Sequence, residues 1–369
     1  MKFSCDTASF GEAVSVIGRV VSPHSTVPAL EGIMIHASYD TISMFGYGTD
    51  IGISTSFPAN IEEDGDIVLT AKVLQEIARR LPGEIMSIRS DKKLITEIVS
   101  GAAEYKLVGI DNDEFPEFPP MENCTKMPIN QGVLASMIGQ TLYAISTSDA
   151  KPVHTGSLFE ADGRTLRVVS VDGYRLAMRQ ETVLSPKELR FVVPGKALSE
   201  VQRILSPEGE DSAEIFVAKK HVFFKVGSYV VYSRLLEGEF LDYRSAIPKE
   251  SKIHIRVSTR SLIESVDRVS LLISDRIRSP LRVKFDRDEI RITCSTALGR
   301  AADSLPCEND GEAIEMGFNN RYLLDALRNA ECDEVMLEIT NPLSPMRVVP
   351  PQGESFLFLV LPVRLKAEE

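Results

Sequence analysis

One pattern of charged and apolar residues recurs three times along the 369-residue chain. It consists of a base, a leucine two positions later, an acid at four, an apolar residue at five and an arginine at seven. The copies lie at residues 72–79, 196–203 and 321–328, so they are spaced by 124 and 125 residues, about one third of the chain. Equal spacing of this kind indicates three copies of one structural unit.

Each copy predicts a short amphipathic helix, because its apolar residues fall on one side at helical spacing. A second helix is predicted in the first half of each third, again from residues spaced for one apolar face. These residues are Phe10, Ala13, Val14, Ile17 and Val21, then Leu134, Met137, Ile138, Thr141 and Ile145, then Leu262, Ser265, Val266, Val269 and Ile273.

Short alternating runs around these helices predict strands, among them residues 165–169, 221–226, 281–285 and 289–294. Each third is therefore predicted as strand, helix, several strands, helix and several strands. This order favours the α+β class, with antiparallel sheets covered by helices on one face. Two proline-containing segments, 113–120 and 239–248, share an acid-Phe start, and we expect them to separate domains at 1–120, 121–250 and 251–369.

Charge is distributed unevenly along the chain. The net charge is −12, which argues against a protein that coats nucleic acid through a generally basic surface. The three repeated segments, counted to Arg80 in the first, nevertheless carry four net positive charges. They predict a mildly basic face that contacts phosphates without reading bases. The same spacing also makes ordinary ion pairs within a helix, and only the threefold recurrence favours a shared surface.

Several classes of protein lack support in the sequence. It has no run of 18 apolar residues and no apolar signal-peptide core, so we expect no membrane contact and a cytoplasmic location. Its five cysteines are scattered without a Cys-x-x-Cys pair, and its five histidines are dispersed. No nucleotide-binding, hydrolase or metalloprotease motif occurs, so we expect no catalytic residue, metal or cofactor. A self-contained enzyme and a peptide-binding scaffold that never encircles DNA remain as alternatives.

Over its whole length the chain resembles the bacterial replicative sliding clamps, the beta subunits of DNA polymerase III. The resemblance is carried by MKF at 1–3, SVDGYRLA at 170–177, GEFLDYR at 238–244, FNNRYLL at 318–324, NPLSPM at 341–346 and LPVRL at 361–365. It implies a processivity factor with three repeated clamp domains. Two chains would form a ring-shaped head-to-tail homodimer, with sheets outside and two helices per domain lining a hole that holds duplex DNA.

The resemblance also implies a pocket between the second and third domains that binds short peptides. Its partners would be the replicative DNA polymerase alpha subunit, the clamp loader, and other polymerases and repair proteins. The matching positions are His154, Val171, Gly173, Tyr174, Arg175, Leu176, Leu241, Leu343, Pro345, Met346, Leu361, Val363 and Arg364. Tyr174 stands where the family frequently has histidine. Asp172-Gly173 can also be a plain hairpin turn, and Leu361 part of a buried final strand; both are compatible with a pocket.

Further positions follow from the same resemblance. The residues expected to face DNA are His24, Lys72, Arg79, Arg80, Ser148, Lys151, Lys196, Arg203, Arg321 and Arg328. The dimer contact is expected between Leu272 and Ile273, at the end of the third domain's first helix, and Tyr105 and Leu107 on an edge strand. The alternative is that Leu272 and Ile273 are core residues of their own domain. Residues 366–369 run past the family's usual end, and we expect them to be disordered; the alternative is that they partly cover the pocket.

Overall fold

The structure is a computed structural model that describes residues 1–183, 185, 187–274 and 279–365. The tail at 366–369, which we expected to be disordered, lies outside the described residues. The chain packs into two compact units, Met1–Leu134 with Lys196–Leu235, and Ala135–Gly195 with Leu236–Glu369.

The order of elements repeats in each third as the sequence predicts. The first third contains β1 Lys2–Asp6, α1 Thr7–Ile17, β2 Gly32–Ser38, β3 Thr41–Tyr47, β4 Ile51–Pro58, β5 Asn60–Glu63, β6 Gly65–Thr70, α2 Ala71–Ala78, β7 Ile85–Ser90, β8 Ile95–Ser100 and β9 Ala103–Val108. The middle third contains β10 Thr125–Asn130, α3 Gln131–Leu142, β11 Gly156–Ala161, β12 Thr165–Val171, β13 Arg175–Thr182, β14 Leu189–Pro194, α4 Gly195–Ile204, β15 Ser212–Val217, β16 His221–Val226 and β17 Tyr229–Arg234.

The last third follows a one-turn helix, α5 Tyr243–Ala246, and has the same plan. Its elements are β18 Ile253–Ser258, α6 Thr259–Ser270, β19 Leu281–Phe285, β20 Glu289–Thr296, β21 Gly299–Pro306, β22 Glu308–Asn309, β23 Ile314–Phe318, α7 Asn320–Arg328, β24 Glu334–Ile339, β25 Met346–Val349 and β26 Phe356–Val360.

Polar side chains fix where several of these helices begin. The carboxylate of Asp6 accepts the Ser9 backbone N–H at 2.7 Å, and the Asn130 side chain accepts that of Val133 at 3.0 Å. Asn319 does the same for Arg321 at 2.9 Å. Each cap satisfies a donor that the first turn of a helix leaves without an intrahelical partner.

The first unit contains two antiparallel sheets. One has eight strands in the order β10-β15-β16-β17-β4-β3-β2-β6, and the other has five in the order β5-β1-β7-β8-β9. Helix α1 packs on strands of both sheets and on α2. Its buried residues include the predicted Phe10, Ala13, Val14 and Ile17.

The second unit is built in the same way. Its sheets have nine strands in the order β14-β11-β12-β13-β26-β25-β24-β18-β22 and four in the order β21-β20-β19-β23. Helix α6 packs on both sheets and on α7, and buries Leu262, Ser265, Val266 and Val269 as predicted. The two units divide the middle third because its strand β17 pairs with β4 of the first third, while β13 pairs with β26 of the last.

The two proline-containing segments are anchored by aromatic residues. Phe115 is buried, and the Phe118 ring lies 5.8 Å from that of Tyr47. In the second segment Phe240 and Tyr243 are buried, and the Tyr243 hydroxyl donates to Glu160 Oε2 at 2.8 Å. The acid-Phe start that the segments share therefore marks where each one attaches to its unit.

The first-half helices end sooner than predicted. Helix α1 ends at Ile17, α3 at Leu142 and α6 at Ser270, so Val21, Ile145 and Ile273 lie beyond them. Ile273 still packs against the core of its unit. Apolar spacing alone therefore extended the predicted helices by about one turn.

Candidate functional site

One end of the nine-stranded sheet brings together three distant stretches of sequence. Val171 at the end of β12 is opposite Leu176 on β13, and Leu176 is opposite Leu359 on β26. Val360 at the end of β26 is opposite Met346, the first residue of β25. The turn at 172–174, the loop at 341–345 and the chain after Val360 therefore lie side by side. They contain seven of the thirteen predicted pocket residues, and four more, Val171, Arg175, Leu176 and Met346, adjoin them.

This region has a buried floor and an exposed rim. Val171, Leu176 and Met346 are buried, and the first two belong to one apolar cluster with Phe240 and Leu359. On the rim, Tyr174 is 61% and Leu343 72% exposed. The remaining predicted rim residues Leu241, Val363 and Arg364 are exposed, and Pro345 and Leu361 are partly buried. Exposed apolar side chains above an apolar floor suit the anchor residues of an extended peptide.

The turn between β12 and β13 is held by one carboxylate. Asp172 Oδ1 accepts the backbone N–H groups of Tyr174 at 2.9 Å and Arg175 at 3.1 Å. Gly173 has φ +92°, a conformation that L side chains rarely adopt. The predicted hairpin turn is thus formed, and it presents Tyr174 to solvent.

Arg175 is engaged on every side within the second unit. Its Nε donates to Asp172 Oδ2 at 2.9 Å and its Nη1 donates to Asp325 of α7. The guanidinium carbon lies 5.4 Å from the Tyr143 ring centroid and 4.8 Å from that of Tyr322. Burial alone would lower the pKa of Arg175, but the carboxylates of Asp325 and Asp172 outweigh it and raise that pKa above its usual value.

His154 and Leu241 are brought together through Phe240. The His154 ring meets the Phe240 ring edge-on with centroids 5.4 Å apart, and Leu241 follows Phe240 in the chain. Burial, followed by the nearby charge of Lys151, lowers the pKa of His154. His154 therefore presents a neutral imidazole near pH 7.

The loop that carries Leu343 is rigidified by Asn341. Its Oδ1 accepts the backbone N–H groups of Leu343 at 2.9 Å and Ser344 at 3.0 Å, and its Nδ2 donates to Ser344 Oγ at 2.7 Å. This turn holds the Leu343 side chain largely in solvent.

The bases predicted to face DNA are exposed, but several are paired. Glu76 forms ion pairs with Arg79 at 3.3 Å and with Arg80. Glu200 accepts from Arg203 at 2.6 Å. The ion pairs expected within each helix thus form in the first two copies of the pattern, while Lys72 and Lys196 extend into solvent.

The third copy differs from the first two. Arg328 Nη2 donates to both carboxylate oxygens of Asp267 on α6, each at 2.8 Å, and Asp325 binds Arg175 instead. Of the other predicted positions, Arg321, His24, Ser148 and Lys151 are exposed. The last three lie outside regular elements.

The predicted dimer residues require one correction. Leu272 and Ile273 are not at the end of a helix, since α6 ends at Ser270; they follow it, partly buried, and Ile273 packs on the core. Leu271, which was not among the predicted residues, is 83% exposed. At helical spacing Leu271 falls opposite the apolar face that Leu262, Val266 and Val269 form, and this signal could have identified it.

Tyr105 and Leu107 lie on β9, the edge strand of the five-stranded sheet. They are opposite the buried Ile98 and Thr96 on β8, so their partly exposed side chains point to the same face as the core. A groove of about 650 Å³ in the same unit is lined in part by Ala78, Leu81 and Ile85, where α2 ends.

Comparison with known proteins decides the family. Models of the N-terminal, central and C-terminal domains of the DNA polymerase III beta subunit match residues 1–119, 128–242 and 244–364. The beta sliding clamp of Bacillus subtilis is 32% identical over 377 residues, covering 99% of this chain and 100% of that protein. The chain belongs to the DNA polymerase III beta subunit family, the beta sliding clamps.

Solved structures of beta sliding clamps have the same fold. The Bacillus subtilis clamp is 31% identical, with a TM-score of 0.95 over 99% of this chain and 100% of that one. The clamp of Bartonella birtlesii, solved bound to griselimycin, is 28% identical, with a TM-score of 0.92 over 99% and 100%. The predicted α+β fold with three clamp domains is therefore confirmed.

Membership of the clamp family also gives the general function. The chain is a sliding clamp of DNA replication, a processivity factor without catalysis of its own, whose partners are DNA and the polymerase. Within its described residues, no helix is long and apolar enough to cross a bilayer. No group of three or more His, Cys, Asp or Glu side chains suited to a metal ion occurs there either.

Proposed function

We propose that this clamp closes around duplex DNA as a head-to-tail homodimer. It tethers the replicative polymerase alpha subunit, the clamp loader, and other polymerases and repair proteins through the pocket at the end of the nine-stranded sheet. Its domains are proposed at 1–120, 121–250 and 251–369, and its location is the cytoplasm. The observation that carries the peptide-binding role is the convergence of the 172–174 turn, the 341–345 loop and the chain after Val360 over one apolar floor.

Two sheet edges support the ring. Strand β9 is the outer strand of the five-stranded sheet and β21 that of the four-stranded sheet, and within the described residues neither has a neighbour on its outer side. Pairing β9 of one protomer with β21 of the other would satisfy both edges. Because this contact joins two different surfaces, it must close into a ring or continue into a polymer.

Exposed apolar side chains would complete the same contact. Leu271 has almost its entire side chain available for burial, and the groove beside Ala78, Leu81 and Ile85 offers an apolar surface. Leu272 lies beside Leu271, whereas the core packing of Ile273 gives that residue a structural role. We therefore propose Leu271 and Leu272, with Tyr105 and Leu107, as the centre of the contact.

The charge pattern suits a clamp that slides. Ten exposed residues, nine of them basic, are proposed to face DNA. They are His24, Lys72, Arg79, Arg80, Ser148, Lys151, Lys196, Arg203, Arg321 and Arg328. Ion pairs with Glu76, Glu200 and Asp267 weaken several of these contacts. Weak, sequence-independent phosphate contacts let a ring held by topology move along the duplex.

Two measurements test this proposal. Light scattering over a dilution series is expected to give a mass of two chains that persists on dilution. After loading by a bacterial clamp loader with ATP, the clamp is expected to stay on nicked circular duplex and to leave when the circle is linearised. A persistent monomer, or equal retention on circular and linear DNA, would contradict encirclement and favour the peptide-binding scaffold.

A further inference from the structure

The acid of the threefold pattern has a different partner in the last copy. In the first two copies Glu76 and Glu200 each bind the arginine three residues later, and Glu200 also binds Arg19 at 2.7 Å. In the third, Asp325 is bound by Arg175, which lies 150 residues earlier in the chain. Its helical neighbour Arg328 is held by both oxygens of Asp267. The pattern within the helix is therefore broken at a position where α7 contacts the first residue after the pocket turn.

Arg175 connects Asp325 to the backbone of that turn. It is the first residue of β13, directly after Tyr174, and Asp172 binds both its backbone N–H and its side chain. Its guanidinium side chain is 13% exposed. With these contacts made, Arg175 has little freedom to bind a peptide, and its geometry serves to fix the turn.

A second contact joins the turn to α7. The Tyr174 ring stacks on that of Tyr322, with centroids 5.8 Å apart and an angle of 18° between the planes. The same Tyr322 ring is 4.8 Å from the Arg175 guanidinium carbon. The position of the exposed Tyr174 ring at the pocket rim thus depends on α7 through both Tyr322 and Arg175.

We propose that Asp325 is a positioning residue for the peptide pocket, which sets the orientation of the Tyr174 turn by holding Arg175. The proposal rests on the proposed peptide-binding function and deepens it. Without the carboxylate, Arg175 loses its partner on α7, the turn gains freedom, and a ligand must restore the bound orientation at a cost in affinity.

The test measures griselimycin binding by calorimetry, since a similar clamp binds this compound. Asp325→Asn is expected to weaken binding about tenfold, equivalent to about 1.4 kcal/mol. Asp325→Glu, which keeps the carboxylate, is expected to recover most of the loss. The matched control is Asp267→Asn. It removes the ion-pair partner of Arg328, which lies on α7 as Asp325 does, and it leaves the contacts of Arg175 intact. We expect it to bind within about twofold of wild type.

A fluorescence signal separates positioning from general loss of structure. The chain has no tryptophan, so Tyr174→Trp places a single indole on the turn. Acrylamide quenching of this indole is expected to increase with Asp325→Asn and to stay unchanged with Asp267→Asn. Equal griselimycin affinity and equal quenching in wild-type and Asp325→Asn backgrounds would overturn the proposal, as would equal losses with both Asn variants. If neither the wild type nor the Tyr174→Trp protein binds griselimycin, the proposed peptide pocket itself is contradicted.

Discussion

Replacing Leu271 by alanine is expected to weaken the dimer strongly while leaving each protomer folded. The side chain is 83% exposed, so almost all of it can be buried in the proposed contact. Removing three carbons from a buried position costs about 2 kcal/mol. A two-chain ring contains the contact twice, so the cost is about 4 kcal/mol, or about three orders of magnitude in the dimer Kd.

Two control variants, Leu343→Ala and Ile273→Ala, make the measurement specific. Leu343 is 72% exposed and belongs to the proposed peptide pocket, so Leu343→Ala is expected to leave the dimer Kd unchanged and to weaken griselimycin binding. Leu271→Ala is expected to do the reverse. Ile273 packs on the core, so Ile273→Ala is expected to lower Tm.

The assay is light scattering or sedimentation of each variant over a dilution series, with a thermal melt as the check on folding. The proposed contact is refuted if Leu271→Ala changes the dimer Kd by less than about threefold. It is also refuted if Leu343→Ala weakens the dimer as much, because the effect would then reflect any loss of exposed apolar surface.

Three further results are expected. Glu200→Gln leaves the partly buried Arg19 without its carboxylate at 2.7 Å, which should destabilise the protein by about 3 kcal/mol and lower Tm in a thermal melt. Burial would raise the pKa of Glu160, but hydrogen bonds from Arg244 and Tyr243 outweigh it and lower that pKa below its usual 4.5. The stabilisation from Glu160 is thus present above about pH 4.5 and lost as the pH falls through the lowered value, and Glu160→Gln should flatten this acid limb of Tm against pH. Lys196→Ala should reduce the slope of log K for DNA against log salt by about 0.9 for each protomer whose Lys196 contacts a phosphate, and an unchanged slope would place Lys196 away from phosphate.

The sequence predicts local structure better than pairing over long distances. The three repeated segments form helices whose ends differ by at most one residue from the pattern at 72–79, 196–203 and 321–328. The pairings of β17 with β4 and β13 with β26 were not predicted. Alternation identifies a strand and its buried face but carries no information about which distant strand lies beside it.

The candidate site was predicted only in part, for a related reason. Resemblance to the family supplied the pocket positions, and helical charge spacing predicted an acid–arginine pair in every copy of the pattern. It could not predict that Asp325 binds Arg175, because that partner comes from another part of the chain. Leu271 was not predicted, although helical spacing places it opposite the apolar face of Leu262, Val266 and Val269.

The threefold register itself points to Leu271. The residues nine positions after Phe10, Leu134 and Leu262 are Arg19, Tyr143 and Leu271. In the first unit Arg19 binds Glu200, the acid of the second copy, at 2.7 Å. In the second unit the Tyr143 ring faces Arg175, which binds Asp325, the acid of the third copy. The third residue of this set is the exposed Leu271. The one copy of the threefold charge pattern not yet matched is α2, which lies beside the groove at Ala78 and Leu81. If each repeat contacts the next through this position, Leu271 of one protomer must contact α2 of the other. The proposed contact between chains would then be an apolar equivalent of the contacts that Arg19 and Tyr143 make within the chain.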